Sequence, residues 1–243
     1  MKQKLISLCL LPILAFGHWV LDFDEDFAAA SAEKPDVTDG LVAWWNFDEG
    51  AGTSVKDYSG TNTATLYGEC VWTNDSGAAL YFGGGTAFAD IPSLYSFNSQ
   101  SFTVSFWMKA NGPQGDYCHF GPSKFYNANA ASFGLNTDIY RNQNLKVYVY
   151  NGSGINQIIY TSLLNGNWRH VLYTSDSTTL TAYLDGAQIN SSVIGGTIPY
   201  NAGAFRINDY NSGLRGICFM RNVRLYTRAL SSNEVTTIYN RFK

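Results

Sequence analysis

Apolar and polar residues alternate with a period of two along most of the chain from Gly40 onward, and Gly, Asn or Asp interrupts the alternation every 8 to 14 residues. The apolar side chains stand at even positions in 102–109 and 180–184, and at odd positions in 145–150 and 205–207. This periodicity is typical of β-strands that bury one face and expose the other. The chain is therefore expected to be almost entirely β-structure.

One segment departs from this alternation, at the C-terminus. Ser231 or Ser232 is suited to cap a helix, and Val235 and Ile238 follow at helical spacing. No change of composition divides residues 40–243, so we expect a single domain of about a dozen strands. So many strands are too many for one open sheet. The sequence therefore predicts an all-β fold, a two-sheet antiparallel β-sandwich of the jelly-roll type with a short C-terminal helix.

The composition excludes several classes of protein. Of the 243 residues, 45% are hydrophobic and 14% are charged, and the formal net charge is −3. The hydrophobic share is sufficient for a core, which excludes a disordered chain. A nucleic-acid binder needs a basic face that displaces phosphate counterions, so the slight negative charge argues against a nucleic-acid partner.

The N-terminus has the organisation of a secretory signal peptide. Two lysines within Met1–Lys4 precede an apolar run at Leu5–Phe16 that is too short to span a bilayer. We assign residues 1–17 to a signal peptide, 18–39 to a linker or N-terminal arm, and 40–243 to the β-domain. Small residues suited to cleavage occur again further on, so the cleavage site stays open, and an uncleaved membrane anchor is the alternative. The mature chain is expected to be secreted or exposed at the cell surface, without a membrane span.

Three cysteines follow the leader, at Cys70, Cys118 and Cys218. This odd number allows one disulfide with a spare thiol in an oxidising compartment, or three small buried side chains. The sequence contains no Cys-x-x-Cys pair, which argues against a zinc site built from thiolates.

A series of motifs extends over about 200 residues and carries a family resemblance. The motifs are GLVAWWNFDEG (40–50), DYSG (57–60), ALYFGG (79–84), FTVSFWMK (102–109), WRHV (168–171), AYLDG (182–186) and VRLYTRAL (223–230). In this order they resemble laminin-G-like jelly-roll domains of the concanavalin A-like lectin/glucanase superfamily. The resemblance implies the two-sheet sandwich, but it does not by itself define a function, because this fold hosts lectins, hydrolases and adhesion modules.

The resemblance also implies a calcium site. In such domains the ion commonly lies between the Asp-x-Ser-Gly loop and an acidic residue on the last strand. Here Asp57, Gly60 and Asn62 would supply the first half, and the usual acidic pair is replaced by Arg221 and Asn222. Asn222 still offers a carbonyl oxygen, whereas a guanidinium cannot ligate calcium. Two arrangements are therefore open: Ca²⁺ bound by Asp57, Gly60, Asn62 and Asn222, or Arg221 paired with Asp57.

Catalytic motifs are missing from the sequence. It has no Glu-x-Asp-x-Glu strand of the kind that glycan hydrolases of this superfamily use, no Gly-x-Ser-x-Gly and no His-Glu-x-x-His. His170 has no nucleophile beside it in sequence and is expected to be structural. Trp44 and Trp45 are expected in the core, and the indoles of Trp107 and Trp168 are expected to donate to backbone carbonyls. The chain is therefore predicted not to be an enzyme.

Two groups of residues are candidates for binding a ligand. Sugars stack their apolar faces on Tyr or Trp while Asn, Asp and backbone groups hold their hydroxyls. The candidates are Tyr117, His119, Tyr126 and Asn127 in the long irregular segment 111–134, and Tyr148, Tyr150 and Tyr210 on the polar side of predicted strands. The alternative is that the tyrosines merely cover the outside of a sheet.

The sequence thus predicts a secreted or cell-surface, non-catalytic binding module whose ligand is carbohydrate, such as an extracellular surface glycan. The competing class is a structural or adhesive surface protein that self-associates or packs in a larger assembly without binding sugar. A folded β-sandwich with an uncharged polar surface is compatible with either.

Overall fold

Two antiparallel sheets pack face to face and carry the strands that the alternation predicts. The computed structural model describes residues 37–110, 118–119, 121–125, 133–140, 144–151, 153–160, 163, 165–200, 203–209 and 215–243. The strands are β1 Leu41–Trp45, β2 Ser54–Val55, β3 Ala64–Tyr67, β4 Cys70–Asn74, β5 Ala78–Gly83, β6 Phe88–Asp90, β7 Ser101–Lys109, β8 Cys118–His119, β9 Pro122–Phe125, β10 Phe133–Tyr140, β11 Asn144–Tyr150, β12 Ile155–Tyr160, β13 Arg169–Asp176, β14 Thr179–Leu184, β15 Ala187–Val193, β16 Phe205–Ile207 and β17 Ile217–Tyr226. A 3₁₀ helix covers Pro92–Leu94, and the α-helix α1 covers Ser232–Phe242.

The order of the strands defines two sheets. The first sheet runs β15-β14-β13-β7-β17-β5-β4, and β1 also pairs with β17. The second sheet runs β12-β11-β10-β9-β16-β6-β3-β2, and β8 also pairs with β10. We call the face of each sheet that is turned away from the other sheet its outer face.

The main core lies between the two sheets. The alternating apolar residues that the sequence singles out are buried there, namely Phe102, Val104, Phe106, Met108, Leu145, Val147, Val149, Leu180, Ala182, Phe205 and Ile207. Trp45 is fully buried in the same cluster. The prediction of an all-β sandwich is confirmed, since these side chains of β7, β11, β14 and β16 are buried between the two sheets.

The described part of the chain has seventeen strands, against about a dozen expected. The difference arises largely between residues 54 and 90, where β2 has two residues and β6 has three. Alternation over two or three residues cannot be distinguished from chance, so the sequence does not predict these strands. They form where neighbouring strands offer hydrogen-bond partners.

Strand β17 lies at the centre of the first sheet. One edge pairs with β7, while the other edge pairs first with β5 and then with β1. The pairing with β7 shifts between Arg221 and Arg224, and Asn222 has a positive φ of 53°. A β-bulge therefore lies where β17 changes partners.

The helix α1 covers part of the outer face of the first sheet. Ser231 caps it in a reciprocal pair of hydrogen bonds with Glu234, as the sequence predicts. Its apolar side forms a second, smaller cluster, which includes Val37 and Tyr226. Val37, which lies in the segment 18–39 expected to be a linker or N-terminal arm, packs in this cluster, and Tyr226 also donates a hydrogen bond to its carbonyl. No helix in the described part of the chain is long and apolar enough to cross a membrane.

Cys70 and Cys218 are not bonded to each other. Both residues lie opposite Phe82, one on each side of β5. Two strand spacings of about 4.8 Å separate them, which exceeds the Cα distance of about 4.4–6.8 Å that a disulfide allows. Burial raises the pKa of the Cys70 thiol to about 11, so this thiol is a poor nucleophile at neutral pH. The side chain of Cys118 lies outside the described residues.

We predict that the variant Glu234→Gln is less stable than the wild type near neutral pH, and that the difference disappears in acid. The hydrogen bond from Arg228 lowers the pKa of Glu234 from 4.5 to about 2. A carboxylate whose pKa is lower in the folded state stabilises the fold above its unfolded pKa, and that contribution is lost as the pH falls through the folded pKa. Urea unfolding of both proteins between pH 6 and pH 2 should show the wild type losing its advantage below about pH 4.5. A stability difference that stays constant across this range would contradict the assignment.

Candidate functional site

The Asp57 carboxylate organises the loop that was considered as half of a calcium site. Its Oδ1 accepts hydrogen bonds from the backbone of Trp44 (2.9 Å), the backbone of Ser59 (2.9 Å) and the Ser59 hydroxyl (2.7 Å). Its Oδ2 accepts from the backbone and side-chain nitrogens of Asn62, at 3.0 and 3.1 Å. Asp57 is buried, and Gly60 lies against its Oδ2. The carboxylate therefore holds the loop against β1.

The other predicted calcium ligand, Asn222, lies on the far side of Trp44. Its Oδ1 accepts hydrogen bonds from the indole nitrogen of Trp44 at 2.7 Å and from Nε of Arg224 at 3.0 Å. The same tryptophan thus donates its backbone N–H to Asp57 and its indole N–H to Asn222. The sequence correctly places Trp44 in buried surroundings.

As arranged, these residues do not fit a calcium shell. Calcium takes about six to eight oxygen ligands, whereas the oxygens of Asp57 and Asn222 already accept seven N–H or O–H groups. No group of three or more His, Cys, Asp or Glu side chains suited to a metal occurs among the described residues. The alternative pair is not formed either, since Arg221 donates to the carbonyl of Ser76 and stacks on Trp168, 4.5 Å from the ring centre. These contacts therefore argue against the calcium site that the resemblance implies, and a measurement with calcium and chelator tests it directly.

A buried serine and histidine come together under α1. Ser105 Oγ lies 2.8 Å from Nε2 of His170, a contact that the sequence does not reveal because the residues are 65 positions apart. Burial first, and the charge of Arg224 second, lower the pKa of His170 to about 3, so it is neutral near pH 7. Asp185 accepts from the backbone nitrogen of His170 rather than from its ring. The pair is fully enclosed, and this geometry supports the structural interpretation of His170.

The predicted ligand-binding residues are only partly within the described structure. Tyr117, Tyr126, Asn127 and Tyr210 lie outside the described residues. His119 lies in β8, where its backbone pairs with Asp138, and its side chain is not described. Tyr148 and Tyr150 lie on the outer face of the second sheet, where Tyr148 is buried and Tyr150 half-buried.

A different part of the same outer face presents an exposed aromatic pair. Tyr67 in β3 stacks on Phe88 in β6, with ring centres 4.9 Å apart and an angle of 11° between the rings. Tyr67 is 48% exposed, and Phe88 is half-buried. The guanidinium groups of Arg206 and Arg215 lie 4.8 and 4.6 Å from the centre of the Phe88 ring. We call Tyr67 and Phe88 the aromatic platform.

A network of charged side chains borders the aromatic platform. Arg206 pairs with Asp90 at 2.9 Å and with Asp209 at 2.6 Å, and Arg215 approaches Asp209 at 3.0 Å. The Tyr95 hydroxyl lies 2.8 Å from both oxygens of Asp90. Two arginines thus face two aspartates, so the network has polar groups at fixed positions but no excess charge.

The sequence alone does not reveal this platform. Tyr67, Phe88 and the neighbouring Arg206 come from three short strands, and each stands at a polar-side position between two core residues or beside one, as Arg206 does between Phe205 and Ile207. The alternation at 205–207 shows that Arg206 points outward. It does not show that β16 pairs with β6, which is what brings Arg206 to Asp90.

Comparison with known protein families identifies the superfamily to which this fold belongs. Residues 82–236, which are 155 of the 243 residues, match the family model of laminin-G-like domains described as the concanavalin A-like lectin/glucanases superfamily. The chain belongs to this superfamily. The resemblance that the motifs carry is thereby confirmed. A comparison with curated proteins finds no match.

Solved structures of this superfamily fold show the same architecture. The binding domain of Paraclostridial Mosquitocidal Protein 1 is 18% identical, with a TM-score of 0.69. The superposition covers 84% of this chain and 53% of that binding domain. The receptor binding domain of botulinum neurotoxin C/D mosaic serotype is 14% identical, with a TM-score of 0.67, and covers 84% and 52%. Trypanosoma rangeli sialidase with sialic acid is 18% identical, with a TM-score of 0.62, and covers 84% and 33%. The chain therefore spans about half of the toxin domains and a third of the sialidase, and the likeness establishes the fold.

We predict that Asp57→Asn destabilises the superfamily domain by about 1–3 kcal/mol, because an amide nitrogen would face N–H donors that need an acceptor. Urea unfolding at pH 7 measures the change. Asp48→Asn serves as the control, since Asp48 is itself exposed and accepts hydrogen bonds from the side chains of Asn46 and Tyr58 near the same loop. Equal effects of the two substitutions would contradict the role of Asp57.

We also predict that millimolar calcium leaves the melting temperature of the full chain unchanged. The ion would have to displace the N–H donors of Ser59 and Asn62 from Asp57 before it could bind. Differential scanning calorimetry in calcium and in chelator compares the two conditions. A rise in melting temperature with calcium, absent in Asp57→Asn, would restore the calcium site.

Proposed function

We propose that this chain is a non-catalytic, extracellular binding module that holds a carbohydrate on the aromatic platform. The observation that carries the proposal is the stacking of Tyr67, which is 48% exposed, on the half-buried Phe88, with polar groups fixed around the pair. An exposed aromatic ring offers apolar surface that a ligand can cover. The apolar C–H face of a sugar ring is a ligand of this kind.

The polar surroundings favour a sugar over an apolar molecule. Asp90 and the oxygen of the Tyr95 hydroxyl can accept hydrogen bonds from the hydroxyl groups of a sugar, and Arg206 can donate them. The ion pairs with Asp90 and Asp209 hold Arg206 in place before a ligand arrives, which lowers the entropy lost on binding. A few polar groups held in place beside apolar surface are typical of small-ligand sites.

The same network argues against hydrolysis at this site. Retaining glycosidases use one carboxylic acid and one carboxylate about 5 Å apart, both free to act on the substrate. Asp90 and Asp209 are instead both engaged by Arg206. We therefore infer binding without cleavage.

Proteins of similar fold support a role in binding a surface partner. One botulinum neurotoxin DC binding domain is described in complex with SialylT, and another in complex with rat synaptotagmin II. Both are 12–14% identical to this chain. This likeness, which covers about half of each of those binding domains, supports the proposal of a surface partner, and the aromatic platform favours a glycan.

We predict that Tyr67→Ala weakens glycan binding by at least about tenfold, since it removes the exposed ring on which the sugar would stack. A glycan array with the full chain identifies the ligand, and isothermal titration calorimetry with that glycan compares the variants. Val71→Ser is the control, because Val71 is similarly exposed but lies in the first sheet. Undiminished binding by Tyr67→Ala would move the site elsewhere, for example to the Tyr148 and Tyr150 region, and a blank array with folded protein would overturn the proposal.

A second candidate function is self-association in a surface assembly. It is favoured by β15, which stands at the end of the first sheet, contains no charged residue or proline and exposes Ile189 and Val193. An uncharged edge strand offers unpaired backbone groups to another strand.

If the chain self-associates through the edge of β15, we predict that Val193→Lys shifts the full chain toward a monomer, because a lysine on an edge strand opposes pairing with another strand. Light scattering after size-exclusion chromatography gives the mass at several concentrations. Ile159→Lys is the control, since Ile159 is also exposed on an edge strand but in the second sheet. A wild type that is monomeric at every concentration would exclude self-association.

A further inference from the structure

The pairing of the second sheet places a row of polar side chains beside the aromatic platform. Its members stand opposite one another in turn on β2, β3, β6 and β16, and we call them the polar row: Ser54, Thr65, Asp90 and Arg206. Residues that are directly opposite in a sheet point to the same face. The ladder between β3 and β6 also pairs Tyr67 with Phe88, two residues away on each strand. The polar row therefore lies on the same outer face, about 7 Å from the aromatic platform along the strands.

The two ends of the polar row differ in how their side chains are occupied. Asp90 accepts from Arg206 at 2.9 Å, and the Tyr95 hydroxyl lies 2.8 Å from both of its oxygens. Ser54 and Thr65 are exposed, and their hydroxyl groups have no hydrogen-bond partner in the described part of the chain. A hydroxyl group can both donate and accept. The end of the row on β2 and β3 therefore offers two hydroxyl groups to a ligand.

These two hydroxyl groups belong to neighbouring side chains. The backbone nitrogen of Leu66 donates to the Thr53 carbonyl at 2.8 Å. This hydrogen bond flanks the pair of Ser54 and Thr65, which is therefore a pair without a hydrogen bond of its own. In an antiparallel ladder the Cα atoms of such a pair are only about 4.5 Å apart, and the side chains lie closer than in a bonded pair. Ser54 and Thr65 can therefore bind hydroxyl groups of one sugar ring.

One face of the Tyr67 ring is uncovered. Phe88 stacks on the other face, and it is the only ring contact of Tyr67 among the described residues. On the opposite side of β3, the register of β2 continues through Thr53 to Gly52, which has no side chain to cover the ring. A Cβ atom built on Gly52 would meet no atom within 4 Å. The space beside Tyr67 is therefore open to a ring that stacks on it.

The charged groups around this space are already engaged. Arg206 binds Asp90 and Asp209, and Arg215 lies 3.0 Å from Asp209, so both arginines have a carboxylate partner. Lys56, which follows β2, is directed to a tyrosine ring, with its Nζ 4.6 Å from the ring centre. The carboxylate or sulfate of an acidic sugar binds best to a cation that is not already neutralised. These charges therefore favour an uncharged sugar.

We infer that the aromatic platform takes an uncharged sugar unit, which stacks on the open face of Tyr67 and bonds through its hydroxyl groups to Ser54 and Thr65. The absence of a side chain at Gly52 leaves room for this unit. The inference rests on the proposed function and adds the residues that determine its specificity. The charged half of the polar row lies one and two strands beyond Thr65 and faces a neighbouring unit of the same glycan.

A glycan array probed with the full chain tests the class of sugar. It carries neutral oligosaccharides together with the same oligosaccharides capped by sialic acid or sulfate. We expect the neutral members to bind, and each acidic counterpart to bind no better. Binding that is confined to the acidic members and lost in Tyr67→Ala would overturn this inference and leave the proposed function standing. A blank array with folded protein would overturn both, as would binding that Tyr67→Ala leaves unchanged.

The variant Thr65→Val tests the hydroxyl contact. It keeps the shape of the side chain and removes one hydrogen bond to the sugar. The affinity for the strongest neutral glycan on the array should therefore fall about threefold to tenfold in isothermal titration calorimetry. Thr181→Val is the control, since Thr181 lies on β14 in the first sheet. An affinity that is the same in Thr65→Val and in the wild type would overturn the role of the polar row.

The variant Gly52→Leu tests the open face of Tyr67. A leucine side chain would occupy the space in which the sugar stacks, so the affinity for the same glycan should fall at least about tenfold. Gly50→Leu is a matched control, because Gly50 has a φ of 72° against 82° for Gly52, and a Cβ added there also meets no atom within 4 Å. The strain of a side chain at positive φ should lower the melting temperature of both variants similarly. Equal affinities of the two variants would overturn the stacking on this face.

Discussion

The pairing of β17 with three neighbours is the constraint on which the first sheet depends. This ten-residue strand shares one edge with β7 and divides the other between β5 and β1. A strand can change partners only where its ladder of hydrogen bonds is interrupted, and the interruption falls at Asn222. The left-handed conformation there suits asparagine better than most side chains. The bulge thus joins the N-terminal strand to the sheet and also sets which residues face α1.

The two outer faces consequently differ in chemistry. The outer face of the first sheet is partly closed by α1, and its polar side chains, such as His170 and Arg224, are buried under the helix. The outer face of the second sheet keeps Tyr67 in solvent, with the ion pairs of Arg206 beside it. Polar side chains on a buried face affect the free energy of folding, whereas polar side chains on an open face can contact a partner. The binding function that we propose for a glycan therefore belongs to the second sheet, whereas the helix-covered face of the first sheet contributes to stability.

The sequence predicts the layers of this fold well, and the sites poorly, for one physical reason. Alternation reports which face of a strand is buried, and it correctly assigns Phe106 and Val147 to the core. It says nothing about which strands are neighbours, because register is set by the packing of the whole sheet. The contact between Ser105 and His170 and the stacking of Tyr67 on Phe88 both depend on that register. The helix cap at Ser231 was predictable because all of its partners are local.

The region around Trp44 shows how neighbouring substitutions change what a loop can hold. A calcium site needs oxygen atoms that are free to face a cation, but the Asp57 oxygens face N–H and O–H groups. On the other side of the tryptophan, the side-chain oxygen of Asn222 accepts hydrogen bonds from Trp44 and Arg224. The residues that the family resemblance assigns to a metal therefore fasten the loop and β17 to the tryptophan in this chain.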